Sequence, residues 1–357
     1  MTGRPSWKSP LLGTFVLSVL LLVGVSGWLL TDPATTRADA LRTGGLAAGA
    51  VVALYALWLN DRRRKVEEGR QRTERERYEL EALRAERDRS RVVDERFAKA
   101  IELLGSEADQ VRVGAMHALA GVARSEPEYT QTVLDVLCSY LRRPFENPHL
   151  HEESDPEAER ELTVRLTAQR LIGDLLTTVD SPGPGYDLDL TGASLEYFEL
   201  TDRKIGTLIM RYATLLSSAN LSRSRFTGPA WFTKAVVGTG RKRGRFRCQG
   251  TVFEERAWFS GTEFGSLADF TGTEFRGEVS FGKAVFAGYV DLRADFGATL
   301  DFAKATFGEH ADLRVTRMPK SVAFYNTFVD PKREYQLPPE WELATVDGRV
   351  RLNAAEG

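Results

Sequence analysis

From Val252 to Leu313 the large apolar residues recur at steps of five and six: Phe253, Phe259, Phe264, Phe270, Phe275, Phe281, Phe286, Leu292, Phe302, Phe307 and Leu313. Neither ordinary period gives this beat, because a strand repeats a face every two residues and a helix every 3.6. A helix with two opposed apolar stripes satisfies the arithmetic, since one long and one short step together return near the starting face. Composition argues against it: Gly261, Gly265, Gly272, Gly277, Gly282 and Gly288 lie between the aromatics, each costing a helix interior roughly 1 kcal/mol. The chain must therefore turn repeatedly.

Two residues ahead of each large side chain stands a second, mostly small one: Ala257, Thr262, Ala268, Thr273, Val279, Ala284, Val290, Ala305 and Ala311. On an extended segment that spacing points both residues inward. A short piece with one small and one bulky inward residue, then a bend, cannot bury its own core and must stack on copies of itself.

Ala219-Asn220-Leu221, Ala268-Asp269-Phe270 and Ala311-Asp312-Leu313, with Leu190, Leu195, Leu200, Ile205, Met210 and Leu215 in strict fives, carry a specific likeness. The segment resembles the pentapeptide-repeat family, whose units read Ala, Asp or Asn, Leu or Phe, then two variable positions. The resemblance implies an all-β, right-handed quadrilateral β-helix over residues 187–328, some six or seven coils long. The beat is broken over 233–250 and loses one step between Arg293 and Asp301.

Leu11 to Thr31 has no charged residue and is long enough, as a helix, to match the roughly 30 Å of a bilayer's hydrocarbon. The alternative is a secretory signal cut near Ala38-Asp39-Ala40, but such an apolar region runs only about 7 to 15 residues. A second apolar run spans 44–60, with Tyr55 and Trp58 suited to an interface, and Arg62, Arg63, Arg64 and Lys65 follow. With Arg4 and Lys8 ahead of the first run, the positive-inside rule predicts a multi-pass hairpin in the cell membrane. Residues 1–10 and everything after 60 would then be cytoplasmic, and the bilayer is the first expected partner.

Residues 61–94 are dense in Arg and Glu and read as a charged helical stalk. Val66, Thr73, Leu80 and Arg87 fall seven apart, so a homodimer through the stalk is an open alternative, with little apolar seam to support it. Residues 95–180 carry helical beats broken at Gly105-Ser106, Ser125-Glu126-Pro127, Pro144 to Pro148 and Asp155-Pro156, which predicts a small all-α domain. Arg96-Phe97 to Gly105 and Val111 to Ala115 are similar to the helical segment ahead of the repeats in bacterial membrane-anchored pentapeptide-repeat proteins. Residues 329–357, with Pro331, Pro338, Pro339 and Trp341, are expected to cap the last coil.

No constellation for catalysis stands out: phosphate-loop, nucleophile-elbow and zinc-protease motifs are all missing, and no cofactor is expected. His149, His151, Glu152 and Glu153 could contribute to a metal site, but this Pro-flanked loop reads first as a polar linker. Cys138 and Cys248 are too far apart in the chain to suggest a disulfide, and Cys138 is expected as a buried small hydrophobe. Asp269, Glu274, Asp291 and Asp301 alternate with inward positions and are expected to face water.

Two surface features invite a partner. Arg241, Lys242, Arg243, Arg245 and Arg247 cluster in a glycine-rich loop, where they could hold phosphate groups with Phe246 stacking, or serve only to keep an inserted loop solvated. Trp231 and Trp258 each precede an inward Phe and should point outward. The expectation is a non-catalytic scaffold that binds another protein. A net charge of −2 and a pI near 6.2 argue against nucleic acid as a partner. The alternatives are a regulator of a DNA enzyme that imitates duplex DNA, or an enzyme in the helical domain around His117 or His149. Arg211, Arg223, Arg225, Arg256, Arg276 and Lys283, scattered among the acids, weigh against the DNA-like surface.

Overall fold

A computed structural model of the chain describes residues 10–31, 36–150, 155–239 and 244–355. They form two compact units, Met1–Arg91 and Val92–Gly357.

In the first unit, helix α1 (Pro10–Leu29) meets the start of α2 (Arg37–Leu104). Both are long and apolar enough to cross a membrane. Small residues let them approach: Ser18, Ser26, Ala40 and Gly44 are buried, and the Ser26 hydroxyl donates to the Ala40 carbonyl at 3.1 Å. A side chain at Gly44 would overlap Ser26. The large apolar residues Phe15, Leu20, Leu46 and Leu54 face outward and are well exposed. Beyond Asp61 the helix carries solvated i,i+4 pairs such as Arg64 with Glu68 and Arg72 with Glu76.

The second unit begins with the last turns of α2, followed by α3 (Asp109–Ser125), α4 (Thr130–Leu141) and α5 (Pro156–Leu175). Asp155 caps α5 by accepting from the Glu157 N–H, with Pro156 at the first helical position. Leu134, Leu137, Leu171 and Ile172 share one core with Leu188, Leu195 and Leu200 of the solenoid, so the helices close its first coil. Gln131 completes the seam, exchanging two hydrogen bonds of 2.9 Å with the Asp187 backbone.

The solenoid has four faces, each a column of parallel pairs with inward residues in register. Ile205, Phe226, Phe253, Phe275 and Phe296 line the first. On the second, Leu208, Ala230, Ala257, Val279, Leu300 and Val322 align. Leu195, Leu215, Val237, Phe264, Phe286, Phe307 and Val329 mark seven coils on the third. Phe198, Ala219, Phe246, Ala268, Val290 and Ala311 align on the fourth.

Phenyl rings stack along the axis. Phe226 to Phe253, Phe232 to Phe259 and Phe264 to Phe286 have centroids 4.7, 4.7 and 5.0 Å apart with nearly parallel planes. Buried threonines fill small inward slots without leaving a hydroxyl unpaired. Thr262, Thr273 and Thr327 donate to Phe232, Cys248 and Phe302 carbonyls one coil back, at 2.6, 2.6 and 2.8 Å.

Both irregular stretches keep the coil. Between the third and fourth faces, four steps separate Phe264 from Ala268 and Phe286 from Val290, but nine separate Val237 from Phe246. The break is thus a short insertion at one corner. On its far side the slots are exchanged: Phe246 stands where three other coils place Ala, and Cys248 where other coils place Phe270 or Leu292, so the pair conserves volume. The lost step between Arg293 and Asp301 is likewise filled, with Phe296 inward and stacked 5.1 Å from Phe275.

A hairpin of Trp341–Val346 and Arg349–Ala354, turning at Asp347-Gly348, closes the far end. Trp341 packs edge-on against Phe302 and Phe324, and Arg351 pairs with Phe328 of the last coil. Replacing the fully buried Phe259 by Ala should cost about 3–5 kcal/mol in urea or thermal unfolding. Hydrogen exchange should rise in the coils on either side while α3 to α5 keep their protection, because repeat units couple to neighbours.

Candidate interaction surfaces

The two tryptophans lie side by side on the second face, Trp231 paired in register with Trp258 and their rings edge-on at 6.4 Å. Both are half-buried. Arg211 covers Trp231 at 5.2 Å and Arg256 covers Trp258 at 5.4 Å, so what reaches solvent is guanidinium held on indole.

Of the basic loop, Arg241, Lys242 and Arg243 lie outside the described residues. Arg245 is exposed and Arg247 half-buried on the fourth face, in register with Asn220 and Asp269. Phe246 corrects the sequence reading. It is buried among Phe232, Phe259, Phe264 and Phe270 and has no face to offer a base or headgroup. The tryptophans are not brought together with Arg245 and Arg247, because the third face, with Val236 and Val237, stands between them. Gly244, where the described chain resumes, lies so close to Ser217 that any side chain would overlap its carbonyl. Gly244→Ala should displace this corner, seen as faster protease cleavage between 238 and 247.

The fourth face carries the aspartates. Asp269, Asp291 and Asp312 each accept the N–H two residues on, a turn that fixes the corner. Asp291 is buried, contrary to the expectation that it faces water, since Arg293 folds back on it at 2.6 Å. Arg314 does the same for Asp312, and its hydrogen bond holds the Asp312 carboxyl below the ordinary range. The stability this pair adds is present near neutral pH and lost as pH falls through the lowered value. Two of the three carboxylates are therefore matched by guanidinium, while Asp269 accepts from Gln249 and Thr271.

The histidine loop makes a structural contact that the sequence did not indicate. His149 Nδ1 lies 2.8 Å from Glu196, a carboxylate buried in the first coil that also accepts from Ser217 at 2.7 Å and Asn147 at 3.4 Å. His151, Glu152 and Glu153 lie outside the described residues. Among the described residues no three His, Cys, Asp or Glu side chains converge on a metal position. His117 is exposed on α3. Glu196→Ala strands two buried donors and should cost about 1–3 kcal/mol, with faster proteolysis of residues 142–150.

The helical domain holds a polar cleft of about 840 Å³ lined by Asp109, Arg112, Arg143, Phe145, Arg160 and Glu161. Its charges engage one another: Arg112 bonds Asp109, Glu161 and the Tyr140 hydroxyl. The buried Arg165 bonds Glu161 and the Leu141 and Arg143 carbonyls. Burial and Glu161 push the Tyr140 hydroxyl up to about 12. Both cysteines are buried free thiols; burial pushes Cys138 up to about 12 and raises Cys248 as well, leaving neither as a ready nucleophile.

Residues 249–294 match the family model for pentapeptide repeats, in nine copies. The solenoid is a pentapeptide-repeat β-helix. Its register extends in both directions beyond the matched residues, from Leu188 to Val329. No curated protein and no solved structure matches the chain. The pentapeptide-repeat fold is consistent with a non-catalytic repeat protein.

Proposed function

We propose that the chain is a membrane-tethered, non-catalytic scaffold whose pentapeptide-repeat solenoid binds another protein. It sits in the cell membrane by two helices, with both termini on the cytoplasmic side. The carrying observation is a solenoid filled along its axis by apolar side chains and closed at both ends, by α4 and α5 and by the Trp341 hairpin. What remains for chemistry is its lateral surface, and a lateral surface acts by binding. The outward apolar residues of α1 and of the first part of α2 support the tether, and Arg62 to Lys65 support its orientation. Regulation of a DNA enzyme is the weaker reading, because Arg293 and Arg314 neutralise the acidic column.

The chain should stay with membranes through alkaline carbonate extraction, and release into the supernatant would overturn the tether. A labelling enzyme fused to the C-terminus should tag a reproducible set of cytoplasmic proteins in intact cells. If deleting residues 240–243, which spares the buried Phe246, leaves that set unchanged, the basic loop drops out of the interaction and the scaffold stands.

A further inference from the structure

We infer that the corner between the second and third faces is a docking ridge for an extended acidic polypeptide segment of the partner. This names the partner's chemistry and rests on the scaffold reading.

The corner is a stack of turns whose left-handed position is filled in order by Gly192, Tyr212, Lys234, Gly261, Lys283, Lys304 and Asn326, all with φ between 55° and 69°. Each turn is closed by an N–H to a carbonyl three residues back, as from Ala284 to Phe281 at 2.9 Å. Glycine and asparagine suit that conformation, glycine for want of a Cβ and asparagine through local hydrogen bonds. Lysine has neither advantage, yet three of the seven coils place lysine there.

Lys234, Lys283 and Lys304 are exposed, as is the neighbouring Arg211. Among the described residues, none of the four makes an ion pair, whereas Arg223 in the opposite turn column is bound to Asp202 at 2.7 Å. Lys234 rests over the Tyr212 ring at 5.5 Å and Lys304 over Tyr325 at 5.9 Å, so aromatic rings brace the ammonium groups near the two ends. With coils about 4.8 Å apart, the lysines form a line roughly 15 Å long, the reach of four or five residues of extended chain.

The line is narrow. Glu263 on the third face and Asp301 on the second flank it. An anionic bilayer, being a plane, would meet those carboxylates, while a single extended chain passes between them. A nucleic acid stacking its bases here would compete with Arg211, Lys234, Arg256 and Lys304, each already held over a ring. Regularly spaced side-chain carboxylates fit the ridge best.

The test uses the full chain in nanodiscs of neutral phosphatidylcholine, with a fluorescein-labelled oligo-glutamate peptide followed by anisotropy at several salt concentrations. Lys234→Asn/Lys283→Asn/Lys304→Asn, which suits the turn conformation and should fold, is expected to weaken binding about tenfold and to flatten its salt dependence. Arg70→Asn/Arg75→Asn/Arg77→Asn in the stalk, away from the cations that orient the tether, should leave binding unchanged. Equal binding by the lysine variant, or an equal loss in the stalk variant, would overturn the ridge. Preference for oligo-uridine or for phosphatidylserine vesicles, lost in the lysine variant, would overturn the acidic polypeptide as its occupant. If the lysine variant binds the peptide normally while C-terminal proximity labelling still returns its set of proteins, the ridge falls and the scaffold survives.

Discussion

Everything in the second unit depends on one constraint: a coil of four short extended pieces exposes both of its inward apolar rims until another coil covers them. Stacked rings such as Phe232, Phe259 and Phe281 bury one another's faces, and no single coil could do so alone. The need for covers at the two ends follows directly. The first coil is met by Leu171 and Ile172 of α5, and the last by Trp341 and Leu352 of the hairpin. The same demand accounts for the threonines, which occupy small inward slots only because a carbonyl of the coil behind accepts their hydroxyls.

Closure of the ends leaves the lateral faces and corners as the surface the coils present. Buried apolar side chains fill the coil axis, and the charges lining the polar cleft between the helices, Asp109, Arg112 and Glu161, bond one another. Chemistry is thus displaced to the corners and faces, where side chains one coil apart are neighbours whatever their distance in sequence. Paired guanidinium groups quieten Asp291 and Asp312 on the fourth face, while among the described residues Lys234, Lys283 and Lys304 make no ion pair.

Much of this was legible because inward positions are chemically restrictive. Phe253, Phe264 and Phe275 announce themselves by size and spacing, and all three are buried. Legibility failed where two slots traded contents: with Phe246 in a small slot and Cys248 in a large one, the beat vanishes although the core is continuous. Phe296 was overlooked for a related reason, since a shortened corner shifts its phase. Alternation assigns Asp291 an outward direction but does not encode Arg293 folding back over it. The contact of Glu196 with His149 joins residues of different elements, and no local pattern encodes it.

The sequence by itself determined that the chain turns every five or six residues around an apolar axis, and that two apolar helices precede it. Those properties are local: they follow from side-chain size, charge and spacing along a few residues. Only the tertiary structure decided which residues of successive coils become neighbours, because alignment depends on the summed length of every corner. A five-residue insertion changes which residues share a column only if the coil fails to absorb it. This one is absorbed at a single corner, so Trp231 still meets Trp258 and the lysine corner remains straight.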